Sequence, residues 1–377
     1  MRILIAPDKF KGTLSAREVA EPIANGLRDV LPEAKTDIVP MADGGDGTAE
    51  VISQALGASW VTCKAHDPFG RGIEVRYGWI EKNKIAVMEM SEAAGMRRLA
   101  PDELDPIRAT TFGVGEMLLD AARRGAQEII VGLGGSATND GGLGMARALG
   151  FRFDHEHESV IDLIDLEKIE KPNDLKLPKI VAAVDVRNPL LGKNGATRVF
   201  GPQKRVMPDQ VPRFEVALTK LADVVAEQFG FDYRSDVGAG AAGGLGFGLV
   251  SFCGAEIRPG FDVVAEAAGL ESKVKEVDVV ITGEGSLDRQ TLEGKTPAGV
   301  AKLARKFGKP IFAFVGRATE DQQVREIFDR VYQNARPEMS TEENMKRAAE
   351  LLRDNARQLG KDLKKTPDRK RPTPNAQ

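Results

Sequence analysis

Strand-like segments stand at both ends of this chain and cannot be completed locally. Two apolar runs, Arg2 to Ala6 and Lys35 to Val39, flank a helical pattern from Ser15 to Val30 with Ser15 as its N-cap, and there the β-α-β texture stops. It returns only from residue 277, as strand Val277 to Thr282, helix Pro297 to Phe307, strand Pro310 to Val315, helix Glu320 to Ile327, strand Arg330 to Tyr332 and a long helix Ser340 to Lys364. Two parallel strands bury too little apolar surface to stand alone, whereas five covered by helices form a domain. The two ends are therefore expected to make one domain, residues 1–55 with 277–363, and residues 56–276 a second one inserted into it.

The insert opens differently. Trp60 to Ala65, Gly72 to Trp79 and Lys84 to Met90 are strand-like runs parted by turn signals, which predicts an antiparallel meander. Alternation then resumes with helix Thr111 to Arg124, strand Glu128 to Leu133, helix Asn139 to Leu149, strand Lys179 to Val186 and helix Pro208 to Gln228. The fold class is α/β, with a discontinuous parallel-sheet domain and a second, inserted mixed α/β domain. Residues 364–377 are charged and proline-rich, which predicts a disordered basic tail.

The chain has 53 basic and 56 acidic residues and a net charge of -3, so no bulk field draws it to nucleic acid or membrane. Small molecules are the expected partners. Cys63 and Cys253 lack the spacing of a zinc or redox pair. The opening M-R-I-L-I-A-P is too short for a signal segment, and no apolar run approaches the ~18 residues of a membrane span, so a cytoplasmic location is expected.

Polar segments follow the strand-like runs, and in a parallel sheet such positions gather at the carboxyl edge, where ligands bind. The run Gly134 to Gly142, G-G-S-A-T-N-D-G-G, is either a tight strand-to-helix turn or an anion cradle. Glycines allow close backbone approach, bare N–H groups make a nest, and a helix N-terminus adds positive charge. Ser136, Thr138, Asn139 and Asp140 are all acceptable N-caps. After the first strand, A-P-D-K-F-K-G-T offers Lys9 and Lys11 to neutralise phosphate or carboxylate oxygens. In P-M-A-D-G-G-D-G-T, Asp43 and Asp46 either hold Mg²⁺, which needs only one or two protein carboxylates, or shape an Asp-Gly turn. M-E-M-S-E-A-A-G sets Glu89 and Ser91 at a strand end.

In A-V-D-V-R-N-P-L-L-G, Asp185 lies in an apolar strand end, where it is satisfied locally, or ligates a metal, or accepts from a substrate hydroxyl. I-T-G-E-G-S-L-D-R-Q-T-L-E-G-K-T-P carries Glu284 and Asp288, and its ending imitates a P-loop, yet Arg289 stands where the first P-loop glycine belongs. Gly238 to Gly243 satisfies G-x-G-x-x-G after a poor strand, which leaves an NAD(P)-dependent oxidoreductase acting on a small hydroxy acid as the alternative. His66, His155 and His157 are too few for a rich imidazole site. Carboxylates, lysines, glycine nests and hydroxyls without a thiol or imidazole nucleophile are the inventory of direct phosphoryl transfer.

Taken in order, A-P-D-K-F-K-G-T-L-S-A, P-M-A-D-G-G-D-G-T, G-L-G-G-S-A-T-N-D-G-G, A-V-D-V-R-N-P-L-L-G with G-P-Q-K, G-A-G-A-A-G-G-L-G and T-G-E-G-S-L-D-R-Q-T-L-E-G-K-T-P resemble the motif series of the type 1 glycerate kinases over residues 1–335. The chain differs from that pattern at Lys9, Asp46 and Ala183, where serine, glutamate and cysteine are common. The resemblance implies ATP- and Mg²⁺-dependent phosphorylation of D-glycerate, usually to 2-phosphoglycerate, in glyoxylate and sugar-acid catabolism. It also implies a flavodoxin-like, Rossmann-like domain interrupted by a second α/β domain. On our own reading, both substrates are expected in an interdomain cleft. Gly134, Gly135, Ser136, Thr138 and Asn139 would cradle phosphates, and Asp43 and Asp46 would hold the metal. Asp185 and Lys9 would be catalytic, and Lys11, Ser91, Asn188, Glu284 and Asp288 would bind the organic acid.

Overall fold

The structure, a computed structural model, describes residues 1–154, 159–289, 291 and 295–365. The chain divides into two compact units, Met1–Met41 with Gly269–Gln377, and Ala42–Ala268. The strands among the described residues are β1 (Arg2–Pro7), β2 (Lys35–Ile38), β3 (Ser59–His66), β4 (Gly72–Ile80), β5 (Ile85–Glu89), β6 (Glu128–Gly132), β7 (Arg152–Phe153), β8 (Ile169–Glu170), β9 (Lys179–Val184), β10 (Glu256–Pro259), β11 (Val279–Leu287), β12 (Ile311–Ala318) and β13 (Arg330–Gln333).

In the first unit the order is β13-β12-β11-β1-β2, parallel throughout. Counted in the unit's own chain order this is 2-1-3-4-5, the flavodoxin-like arrangement, whose switch point lies between β1 and β11. Helix Ala16–Val30 starts in a reciprocal capping box: the Glu18 N–H donates to Ser15 Oγ at 3.3 Å, and the Ser15 N–H donates to the Glu18 carboxylate at 2.8 Å. Its Val19, Ile23 and Leu27 meet Ile3, Ile5 and Ile281 of the sheet in one core, which Leu352, Ala356 and Leu359 of helix Ala348–Lys365 close from outside. Gly26 lets these two helices cross, since a Cβ there would collide with the Arg353 carbonyl. The single long helix expected over Ser340 to Lys364 is two, Thr341–Lys346 and Ala348–Lys365. The helix expected over Glu320 to Ile327 is only Gln322–Arg325, because the Asp321 side chain accepts from the Gln323 N–H and fixes the start there.

In the second unit the order is β10-β9-β6-β5-β4-β3. β10, β9, β6 and β5 are parallel, and β5, β4 and β3 form the antiparallel meander expected from the turn signals. Met88, Val131 and Ala182 carry the sheet's share of a large core that includes Met117, Leu218 and Phe247 from its helices. Helix Thr48–Leu56, which the sequence assigned to the first domain, packs on β4, β5 and helix Gly260–Ala267 of this unit. The carboxyl ends of β5, β6 and β9 lie side by side, and so do those of β1 and β11 in the other unit. Each edge carries a cluster of polar side chains.

No helix among the described residues is long and apolar enough to cross a membrane. Of the expected disordered tail, residues 366–377 lie outside the described residues, as do His155 and His157.

Candidate functional site

In the second unit, the turn 43–47 lies across the carboxyl ends of the central strands. The Leu133 N–H, just past β6, is shared between the Gly44 and Ala183 carbonyls at 3.1 Å each, which stitches the turn to β6 and β9. Asp43 Oδ1 accepts from the Gly45 N–H at 3.1 Å and shapes the bend. On β5, buried Glu89 takes the other end. Its Oε1 accepts from the Gly47 and Ala49 N–H groups at 2.7 and 3.2 Å, at the start of helix Thr48–Leu56, whose glycine N-cap has no side chain to do so. The Ser91 hydroxyl donates to Glu89 Oε2 at 3.3 Å, and the Arg97 guanidinium stands 3.8 Å away. Burial pushes the Glu89 carboxyl up, while Arg97 and the backbone donors pull it down.

Against this turn lies the loop after β6. A Cβ on Gly134 would fall 2.5 Å from Gly45 Cα. Gly135 has φ +67°, and a Cβ there would lie 3.2 Å from Asp46 Cγ and closer still to Asp46 Oδ1. Glycine is thus required twice, once for close approach and once for a left-handed backbone, and the result seats the half-buried Asp46 directly on Gly135.

The structure corrects the expected cradle in two respects. The helix begins at Leu143 rather than Asn139, because Gly141 and Gly142 have φ of +63° and +82°. None of Ser136, Thr138, Asn139 or Asp140 is its N-cap, which is Gly142. The Asp140 carboxylate instead accepts from the Gly142 and Gly144 N–H groups at 3.1 Å and from the Thr111 N–H and hydroxyl at 2.8 Å. A built-in carboxylate therefore already occupies the helix end that was expected to attract an anion.

The cation serving this loop is one the sequence reading assigned no role. Lys204, 1% exposed, donates from Nζ to Ser136 Oγ and to the Thr138 carbonyl, both at 2.6 Å. Burial pushes its ammonium down to about 7, opposed by Asp140. The Asn139 side-chain amide donates to the Thr197 hydroxyl at 2.9 Å. The G-P-Q-K run was the only sequence signal for Lys204, and a lysine in a run carries no mark of burial.

Asp185 follows β9 directly and is exposed, so the expectation of a carboxylate within an apolar strand end is corrected: β9 stops at Val184, before the side chain would enter the core. The Asn188 side-chain amide donates to the Asn194 carbonyl at 2.7 Å and ties its own loop. The glycine run does not follow a strand, as a dinucleotide fingerprint requires; residues 231–240 are turns and irregular chain. Its helix Ala241–Cys253 has left-handed Ala242, Gly243 and Gly244, and a side chain on Gly243 would collide with the Thr138 carbonyl. The run is packed beneath the 134–142 loop, which removes the ground for the oxidoreductase alternative.

In the first unit Glu284 feels Asp8, Asp288 and Lys295, while Lys9 and exposed Lys11 lie in the loop that follows β1. Buried Asp8 accepts from the Lys9 N–H at 2.7 Å and from the Thr296 hydroxyl at 2.7 Å. Glu284 lies inside β11, paired with Val315, because this strand runs on to Leu287 rather than ending at Thr282. Its Oε1 accepts from the Thr291 hydroxyl at 2.6 Å. Burial pushes the Glu284 carboxyl up to about 7; Thr291 and Lys295 oppose this, and Asp8 and Asp288 reinforce it. Glu284 is thus a buried carboxyl on β11, beside β1, at the sheet's switch point. Thr291 and Thr296 had no signal in the sequence, since the Thr296 partner lies 288 residues away.

Among the described residues, no group of three or more His, Cys, Asp or Glu could hold a metal ion by itself.

The family model of the glycerate kinase family matches residues 3–364. A glycerate kinase of Halalkalibacterium halodurans is 38% identical, over 95% of this chain and 97% of that protein. The glycerate 2-kinase of Escherichia coli K12 is 40% identical, over 85% of this chain and 86% of that protein. A crystal structure assigned as glycerate kinase 2 from Salmonella typhimurium LT2 superposes with a TM-score of 0.84 at 38% identity, covering 97% of this chain and 98% of that one. The chain belongs to the glycerate kinase family and is an enzyme of that class.

Proposed function

We propose that the enzyme transfers the γ-phosphoryl group of ATP directly to a hydroxyl of D-glycerate, with Mg²⁺, and releases 2-phosphoglycerate. The observation that carries this reading is the seating of Asp46 on Gly135, which sets a carboxylate beside a glycine loop at the carboxyl edge of a parallel sheet. The name of the Escherichia coli relative, glycerate 2-kinase, supports the position of the phosphate. Cytoplasmic location and a place in glyoxylate metabolism belong to the same reading.

Bound Mg²⁺ would supply charge neutralisation on the phosphates. Asp43 and Asp46 are its protein donors, and Gly134, Gly135, Ser136, Thr138 and Asn139 present backbone and hydroxyl groups to phosphate oxygens. Lys9 and Lys11 offset negative charge on the transferring group or on the glycerate carboxylate. Exposed Asp185 orients the attacking hydroxyl and accepts its proton. Glu284, close to half protonated at neutral pH, donates a hydrogen bond to the organic acid, with Ser91, Asn188 and Asp288 as further polar contacts.

An ADP-release assay with D-glycerate, ATP and Mg²⁺ tests the reading, with NAD(P)H absorbance as the control for the redox alternative. Phosphorus NMR of the product separates 2- from 3-phosphoglycerate. Absence of ADP release with D-glycerate refutes the activity, and a 3-phosphate product refutes the regiochemistry alone.

A further inference from the structure

Lys204 has a burial no lysine takes without a reason. It is 1% exposed, and among the described residues its ammonium donates only to Ser136 Oγ and the Thr138 carbonyl. Both acceptors are neutral, and among the described residues no carboxylate pairs with the ammonium; Asp140 acts on it only at longer range and is itself taken up by four donors. A buried ammonium of this kind costs several kcal/mol unless a negative charge compensates it.

One further atom of the same loop able to donate, Thr138 Oγ1, is buried without a hydrogen-bond partner among the described residues. Buried polar atoms left unsatisfied call for a group that completes them. Because Ser136 Oγ accepts from Lys204, its own hydrogen must point elsewhere, so the serine becomes a donor on its other side.

We propose that Lys204 is the positioning cation of the 134–139 loop: it fixes Ser136 as a donor to a bound phosphate oxygen, and that anion's arrival draws a proton onto Lys204. This rests on the kinase reading for the identity of the anion, but the chemistry requires only a phosphate. The negative charge stabilises the ammonium, so an amine neutral at alkaline pH becomes protonated as the anion binds. Asp140 is the only charged group acting on it among the described residues.

Titration calorimetry of ADP into the full chain, run in two buffers of different ionisation enthalpy, reads the linkage. For the unmodified protein the expected result is net proton uptake per ADP at pH 8 that shrinks at pH 6, where Lys204 is already charged. Lys204→Met should bind ADP about tenfold or more weakly, without that component of uptake. Lys204→Arg keeps a permanent cation, so it should retain part of the affinity and lose the uptake. Ser136→Ala should weaken binding while leaving the uptake in place. Uptake in Lys204→Arg equal to that of the unmodified chain, or none in the unmodified chain, overturns the proposal. Because ADP release from glycerate and ATP is measured separately, an active enzyme without proton linkage sinks only this inference. Linked binding in an inactive enzyme sinks only the kinase reading.

Discussion

Replacing Gly135 by alanine separates the two reasons for glycine at that position. At φ +67° an alanine adopts a left-handed backbone, which costs about 1–2 kcal/mol. The added Cβ also falls inside contact distance of Asp46 Oδ1, so the carboxylate must retreat by roughly 1 Å to restore an ordinary contact. A misplacement of that size in a positioned group costs about 10²-fold in rate. Gly254 supplies the control, since it has φ +63° at the end of helix Ala241–Cys253 and, among the described residues, nothing within 4 Å of a Cβ. Both variants should lose a few degrees of melting temperature, at about 2–4 °C per kcal/mol for a folding unit of roughly 150–250 residues. Only Gly135→Ala should lose about 10²-fold in kcat/KM for ADP release from D-glycerate and ATP, with Gly254→Ala within about twofold of the unmodified enzyme. Equal activity of the two variants would refute the assignment of Asp46 and Gly135 to one working site.

Asp185→Asn should reduce kcat by about 10²-fold or more while KM stays within a few-fold; steady-state kinetics check this, and unchanged turnover removes Asp185 from proton transfer. Folding raises the Glu284 carboxyl from 4.5 to about 7, so the folded state holds an extra proton in that window and stability falls as pH rises through it. Glu284→Gln should therefore raise the unfolding free energy by an amount on the order of 3 kcal/mol at pH 8 and by much less near pH 5; denaturant titrations at the two pH values read the difference, and a pH-independent effect contradicts it. Gly26→Ala drives a methyl into the Arg353 carbonyl where two helices cross, and should destabilise the chain by about 1–3 kcal/mol with kcat unchanged in what remains folded.

Local physics made much of this legible in the sequence. Strand periodicity located the five strands of the first sheet and β3, β4, β5, β6 and β9 of the second, but missed the short edge strand β10; Ser15 as N-cap fixed a helix start, and turn signals separated the meander strands. The split of the first sheet across the chain followed from too few strands at either end. Polar segments behind parallel strands pointed to the carboxyl edges because that rule depends on strand direction alone. Element ends were less legible where another segment intervened, as when Asp140 and the glycines of the 141–142 turn delayed a helix by several residues.

What the sequence determined by itself were the properties set within a few residues: periodicity, capping, turn chemistry and the order of the motifs that mark the family. Only the tertiary structure decided that Asp46 sits on Gly135, that Glu89 holds a helix start 42 residues away, and that Thr296 satisfies Asp8 across 288 residues. The same holds for charge. Whether Lys204 is a surface lysine or a buried cation, and whether Glu284 titrates near 4.5 or near 7, depends on desolvation, which is a property of everything packed around a group and is not written beside it in the chain.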